Sequence, residues 1–174
     1  MAPAVFTIGH STRCLDEFVG LLRENGVRLL VDVRRYPVSR RYPHFTGAAL
    51  AASLAQAGIE YRHEKDLGGH RDPRPDSPNT ALRAAAFRGY ADSMATPLFR
   101  AALARLTADA AARPTVILCA EADPQRCHRQ LVADALVARG GRVVHILAPG
   151  HVEAHTLHIS ARLTPDGTLV YGRP

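Results

Sequence analysis

The chain has 174 residues, enough to bury a core without staples, and its 47% hydrophobic and 22% charged composition is that of an ordinary globular protein. No apolar run approaches the roughly 20 residues that span a bilayer, and no basic segment followed by an apolar stretch opens the chain; membrane and exported classes are set aside and a cytoplasmic location is expected. The net charge of +6 favours anionic partners: nucleotides, nucleic acid or phosphorylated metabolites.

In chain order, Val5–Ile8 reads as a strand, and a helix follows over about Arg13–Glu24, with Leu15, Phe18, Leu21 and Leu22 on one face and Asn25-Gly26 as its stop. Val27–Val33 is the next strand, and its continuous hydrophobicity suits a sheet covered on both faces. A second helix starts after Thr46, with Phe45 and Leu50 placed for a hydrophobic staple, and ends at Gly58. A weaker strand, Ile59–His63, precedes the irregular stretch Arg71–Asn79, whose three prolines forbid regular structure. A third helix is expected over about Thr80–Met94, and Thr96-Pro97 opens a fourth. Thr115–Cys119 is a strand, Asp123-Pro124 opens a fifth helix that stops at Gly140, and Val143–Leu147 is the last buried strand. Leu157–Val170 has β character around a Pro165-Asp166-Gly167 turn, which predicts a C-terminal hairpin. The alternation predicts a single-domain, three-layer Rossmann-like α/β fold with a mostly parallel sheet over residues 1–174.

In such sheets ligands bind outside the carboxyl ends of the strands. Gly9, His10 and Ser11 follow the first strand; Asp32, Arg34 and Arg35, then Arg40, Arg41 and His44, follow the second. Lys65, Gly68, Gly69, His70 and Arg71 follow the weaker strand, and Glu121 with Arg126, Cys127, His128 and Arg129 follow Thr115–Cys119. Polar loops are expected anyway, but glycines beside cations at several crossings are the composition of an anion site. Glycine lets backbone amides approach a ligand, and arginine offers forked donors to phosphate.

Asp32 interrupts Leu29-Leu30-Val31-Asp32-Val33 and must find a partner, for which Arg34 or Arg126 is available. It is either a salt-bridged strand end, a general acid/base or nucleophile, or an acceptor for a ribose hydroxyl. Glu121 can face it, and two carboxylates on one rim suit glycosidic-bond chemistry. Cys127, flanked by cations at an expected helix start, is a candidate thiolate, whereas Cys119 reads as core packing. The spacing from Cys119 to Arg126 does not match the shorter loop of cysteine phosphatases and rhodanese-like enzymes. Three cysteines, an odd count without an export signal, read as reduced thiols. Cys119, Cys127 and His128 lack paired zinc-ligand spacing, and His151 with His155 lacks a suitably placed glutamate, so neither a metal nor another cofactor is expected. Phe87-Arg88-Gly89-Tyr90 is either ordinary helix packing or a rim element in which Arg88 and Tyr90 meet a substrate.

Six stretches together resemble the domain-of-unknown-function family 488: Thr7-Ile-Gly-His-Ser11, Leu30-Val-Asp-Val-Arg34, Leu67-Gly-Gly69, Phe87-Arg-Gly-Tyr90, Cys119-Ala-Glu121 and Arg126-Cys-His-Arg129. They span roughly residues 5–147, leaving 148–174 as a C-terminal extension. The resemblance implies a compact α/β protein with these motifs gathered on one side; it carries no catalytic role.

The leading reading is an enzyme acting on a nucleotide or nucleic acid, by glycosidic cleavage or transfer. Arg34, Arg126 and Arg129 hold phosphate in this reading, Asp32 or Glu121 does acid–base work, and His10 and Ser11 orient the substrate. The alternatives are a non-catalytic module binding nucleic acid or a phosphorylated ligand, and a thiol enzyme using Cys127.

Overall fold

The computed structural model describes residues 3–172; Met1, Ala2, Arg173 and Pro174, the ends of the expected 1–174 domain, lie outside the described residues. Six strands form one sheet: β1 (Ala4–Gly9), β2 (Leu29–Asp32), β3 (Glu60–His63), β4 (Thr115–Cys119), β5 (Arg142–Ala148) and β6 (His151–Ala154), in the spatial order β3-β2-β4-β1-β5-β6. The first five run parallel, and β6 turns back antiparallel on β5 through a bulge. A separate antiparallel pair, β7 (Ala161–Leu163) and β8 (Leu169–Tyr171), is the expected C-terminal hairpin, with Gly167 at φ +82° in its turn. No helix among the described residues is long and apolar enough to cross a membrane.

Side chains alternate along each strand, and the alternation separates two cores. Leu29, Val31, Ile117 and Cys119 face one layer; Leu30, Val116 and Leu118 face the other. Helices α1 (Leu15–Glu24) and α2 (Gly47–Gln56) cover the second layer with Phe18, Leu21, Leu22, Leu50 and Leu54. Helices α3 (Ala85–Ser93), α4 (Pro97–Ala112) and α5 (Arg129–Val137) cover the first with Tyr90, Phe99, Leu103, Leu106, Leu131 and Val132.

Two helix starts differ from expectation, and the second helix starts after Thr46 as expected but without the hydroxyl cap. Residues 80–84 do not join α3, because the Arg88 guanidinium binds the carbonyls of Leu82 and Arg83 and closes a turn there. The Thr46 hydroxyl accepts from the Ser39 amide instead of capping α2. Asp123 caps only a 3-10 turn, Pro124–Arg126, and α5 begins afresh at Arg129. Cys127 therefore lies ahead of the helix rather than in its first turn. Thr96 does cap α4, accepting from the Phe99 amide with Pro97 at the first helical position.

The connections after β1 and β2 lead to helices on one face, those after β3 and β4 to helices on the other. Strand β4 thus lies between two neighbours whose following loops depart to the opposite side, which opens a crevice at its carboxyl end. The register sets Gly9 beside Cys119, and Asp32 beside both Leu118 and His63, so the strand ends form one level rim.

Candidate functional site

The crevice holds a cleft of about 480 Å³. Its walls come from His10 after β1, the segment Arg34–Ser39 after β2, Gly69 and His70 after β3, Phe87 and Tyr90 on α3, and Cys119–Glu121 with Arg126–His128 after β4. Arg34, Arg35 and Arg126 stand against a single lining carboxylate, Glu121, so the cleft favours anions.

Arg34 is its most constrained cation. Only 7% exposed, it is pinned by the fully buried Asp32, whose carboxylate accepts from Arg34 Nε at 2.9 Å, Arg34 Nη2 at 2.6 Å, the Arg34 amide at 3.1 Å and the Tyr61 hydroxyl at 2.6 Å. Burial pushes the Tyr61 hydroxyl well above its ordinary pKa, and the Asp32 charge adds to it, so this donor stays protonated. Asp32 does not line the cleft; its carboxylate is saturated by the groups it orients. Among the described residues, Arg34 Nη1 is the one buried side-chain nitrogen or oxygen without a hydrogen-bond partner.

His10 stacks on Phe45 and donates through Nδ1 to the Ser11 carbonyl at 3.0 Å, which leaves Nε2 as a lone pair. Burial holds its pKa below the ordinary value, so the ring is neutral at neutral pH. His128 donates from Nε2 to the Val33 carbonyl at 3.0 Å; burial lowers its pKa to about 4, and its Nδ1 faces Cys127 Sγ at 3.8 Å. Tyr90 packs on the His128 ring and donates to the Leu67 carbonyl at 2.8 Å. Arg126 is four-fifths exposed, with Asp123 3.9 Å away.

Several of the expected ligand groups are packed against neighbouring protein groups. A Cβ at Gly9 would lie 1.7 Å from the Glu121 carbonyl oxygen, so this glycine lets the end of β1 press against the β4–α5 loop. A Cβ at Gly68 would meet the Arg35 backbone at 2.7 Å; Gly69 alone of the three lines the cleft. Ser11 sits beyond the lining in a left-handed conformation (φ 49°), its amide bonded to the Ala120 carbonyl. Gly89 packs beneath the Arg71 carbonyl, and Asp92 accepts from the Arg74 amide, the Ser77 hydroxyl and Asn79 Nδ2, so the 71–79 stretch is pinned rather than free.

Arg129, expected to hold phosphate, is fully buried behind the cleft wall. Its guanidinium donates to Cys119 Sγ at 2.7 Å, to Thr7 Oγ1 at 3.2 Å, and to the carbonyls of Glu121 and Ala122. Burial lowers its pKa to about 10, which still leaves it charged at neutral pH. A chain of hydrogen bonds that is satisfied with one proton on each ring anchors it. Tyr171 and His155 Nε2 donate to Asp134, His145 Nε2 donates to His155 Nδ1, and Thr7 donates to His145 Nδ1 at 2.6 Å. Burial lowers the His145 pKa to about 4, so this ring is neutral at neutral pH. Of these groups Asp134, His145 and His155 border a second hollow of about 670 Å³ beside β5 and β6.

The cysteines depart most from expectation. Cys119 and Cys127 are joined as a disulfide, with Cα atoms 7.4 Å apart, and only Cys14 is a free thiol. Local packing explains the pairing: the turn at Pro124–Arg126 returns the chain so that Cys127 lies against the end of β4. No group of histidine, cysteine, aspartate and glutamate among the described residues is arranged to hold a metal ion.

Sequence reasoning overlooked Tyr36, Val38 and Ser39 in the β2–α2 loop. Tyr36 and Val38 are 64% and 65% exposed, and an aromatic directly after two arginines in Arg34-Arg35-Tyr36-Pro37 was the available signal.

No curated protein and no solved structure matches the chain. The family described as "Domain of unknown function DUF488" matches residues 14–136, a stretch that includes β2 to β4 and nearly all of the cleft lining. With that match over well more than half its length, the chain belongs to the DUF488 family.

Proposed function

We propose that the cleft binds a nucleotide, free or as a unit of nucleic acid, and cleaves or transfers it at its glycosidic bond. The observation that carries this reading is Arg34 Nη1, a buried donor without an acceptor in a guanidinium already fixed by Asp32. Leaving such a donor unmet costs about 1–3 kcal/mol, and a phosphate oxygen supplies the missing acceptor with charge assistance. Arg35 and Arg126 extend the cationic wall, and the rings of Tyr36 and Phe87 offer faces on which a base stacks. A volume of about 480 Å³ suits one such unit.

Glu121 is the carboxylate available for chemistry, since Asp32 is occupied with Arg34 and Tyr61. It takes a proton from a water that attacks the anomeric carbon. The glycosidic bond breaks with its electron pair on the base, and the proton passes to that base. The neutral His10 accepts a sugar hydroxyl at Nε2.

Thermal unfolding with nucleotides, nucleosides, sugar phosphates and short oligonucleotides tests binding. A ligand at 100 times its Kd adds about 2.7 kcal/mol, roughly 5–11 °C for a chain of this size. The shift should shrink in Arg126→Ala, an exposed site that folding does not need. Chromatography for released base tests the chemistry: Glu121→Gln should abolish release while keeping the shift. No shift with any phosphate-bearing compound overturns the reading, and a shift without base release leaves a non-catalytic binding module.

A further inference from the structure

A buried charge requires a counter-charge, and Arg129 has none of the usual kind. Among the described residues no carboxylate makes an ion pair with it, although the charges of Asp123 and Glu121 act on it from further off; its acceptors are the Thr7 hydroxyl, two backbone carbonyls and Cys119 Sγ. Of these only Cys119 can carry a negative charge. Its partner Cys127 has a different setting: its sulfur accepts from the Arg129 amide at 3.5 Å and faces the unprotonated Nδ1 of His128. Both residues line the cleft, with Cys119 2% and Cys127 5% exposed, so the pair lies at the inner wall of the cleft.

We propose that Cys119 and Cys127 form a redox-active pair that exchanges with low-molecular-weight thiols and disulfides entering the cleft, with Cys119 as the thiolate held by Arg129. In the reducing direction a small thiolate attacks Cys127 Sγ. The Cys119–Cys127 bond breaks, and Cys119 leaves as a thiolate on the Arg129 guanidinium, which makes it the better leaving group. A second small thiolate attacks the sulfur attached to Cys127. The small disulfide departs, and Cys127 takes up a proton and donates it toward His128 Nδ1. The chain gains two electrons, and two small thiols become one disulfide. The reverse sequence oxidises the pair with a small disulfide, which makes the cleft wall responsive to the thiol poise around it. This activity is independent of the nucleotide reading, because it uses neither Arg34 nor Glu121.

The test uses the intact, reduced protein. Iodoacetamide labelling from pH 5 to 9, read peptide by peptide by mass spectrometry with Cys14 as the internal reference, should give Cys119 a half-maximal rate below about pH 7 and below that of Cys14. Glutathione disulfide should then reduce the titratable thiols from three to one, leaving Cys14. In Cys119→Ser, glutathione should remain trapped on Cys127. In Arg129→Lys, the Cys119 midpoint should move upward. A Cys119 profile that tracks Cys14, no labelling of Cys119 at any pH, or three thiols persisting after glutathione disulfide each overturns the proposal.

Discussion

Asp32→Asn separates a structural from a chemical aspartate. Asp32 is fully buried and receives four hydrogen bonds, three from Arg34 and one from Tyr61. The asparagine keeps the shape but loses the charge, and its amide nitrogen presents hydrogens to donors. Arg34, only 7% exposed, is then a buried cation without a counter-ion. Removing one partner of such a pair costs about 3–5 kcal/mol. At roughly 2–4 °C per kcal/mol for a chain of this size, the melting temperature should fall by about 6–20 °C. Urea unfolding followed by circular dichroism measures the same loss as a lower midpoint. Arg34→Gln should cost a similar amount, and the double variant should be less unstable than the sum by about 2 kcal/mol, because neither charge is then stranded. An aspartate kept for acid–base work behaves otherwise: its neutral replacement leaves stability within about 1 kcal/mol while activity disappears. That outcome would refute the support role assigned to Asp32 and return it to the chemistry.

Two further results follow from the packing. Burial lowers the pKa values of His128 and His145 to about 4, below the 6.5 they regain on unfolding. The unfolded chain therefore takes up protons first as pH falls, so this stability is complete above about pH 6.5 and is lost on the way to pH 4. Each histidine should cost roughly 2 kcal/mol by pH 5, and urea midpoints that are unchanged between pH 7 and 5 would contradict the buried neutral rings. Gly89→Ala places a Cβ 2.0 Å from the Arg71 carbonyl oxygen, a backbone clash that should cost about 1–3 kcal/mol and speed proteolysis within residues 71–79. Gly20→Ala, on α1 with nothing within 4 Å, is the control and should raise stability by up to about 1 kcal/mol.

The β-α-β-α-β-α-α-β-α-β order and the rim were legible because both follow from local patterning. Short β-branched runs, amphipathic spacing and turn residues were enough to place β1 to β5, α1, α2 and the start of α4 within a few residues of their observed bounds, whereas α3 and α5 begin a turn or more later than their sequence signals. Strand β6 was not legible. His151–Ala154 is exposed throughout and lacks the apolar alternation that marks a strand; it exists because the unpaired edge of β5 accepts its backbone. The disulfide was equally hidden, since cysteine count and export signals describe the compartment and say nothing of two sulfurs brought together by a turn.

The polar residues of the rim were found by sequence, but not their division of labour. A charged residue at a strand end has to be satisfied by something, and whether that partner is protein or ligand depends on contacts across the fold. Asp32, Gly9 and Gly68 spend their interactions on neighbouring protein groups. Arg34 spends two of its three side-chain nitrogens that way and keeps the third. Arg129 spends all of its own on a hydroxyl, two carbonyls and the Cys119 sulfur, with no carboxylate in direct contact. What distinguishes these rim residues from one another is therefore not polarity but what remains unsatisfied after the protein has folded. By that measure Arg34 Nη1 and the Arg129–Cys119 contact are the two positions where the fold leaves a demand that a ligand or a change of redox state can meet.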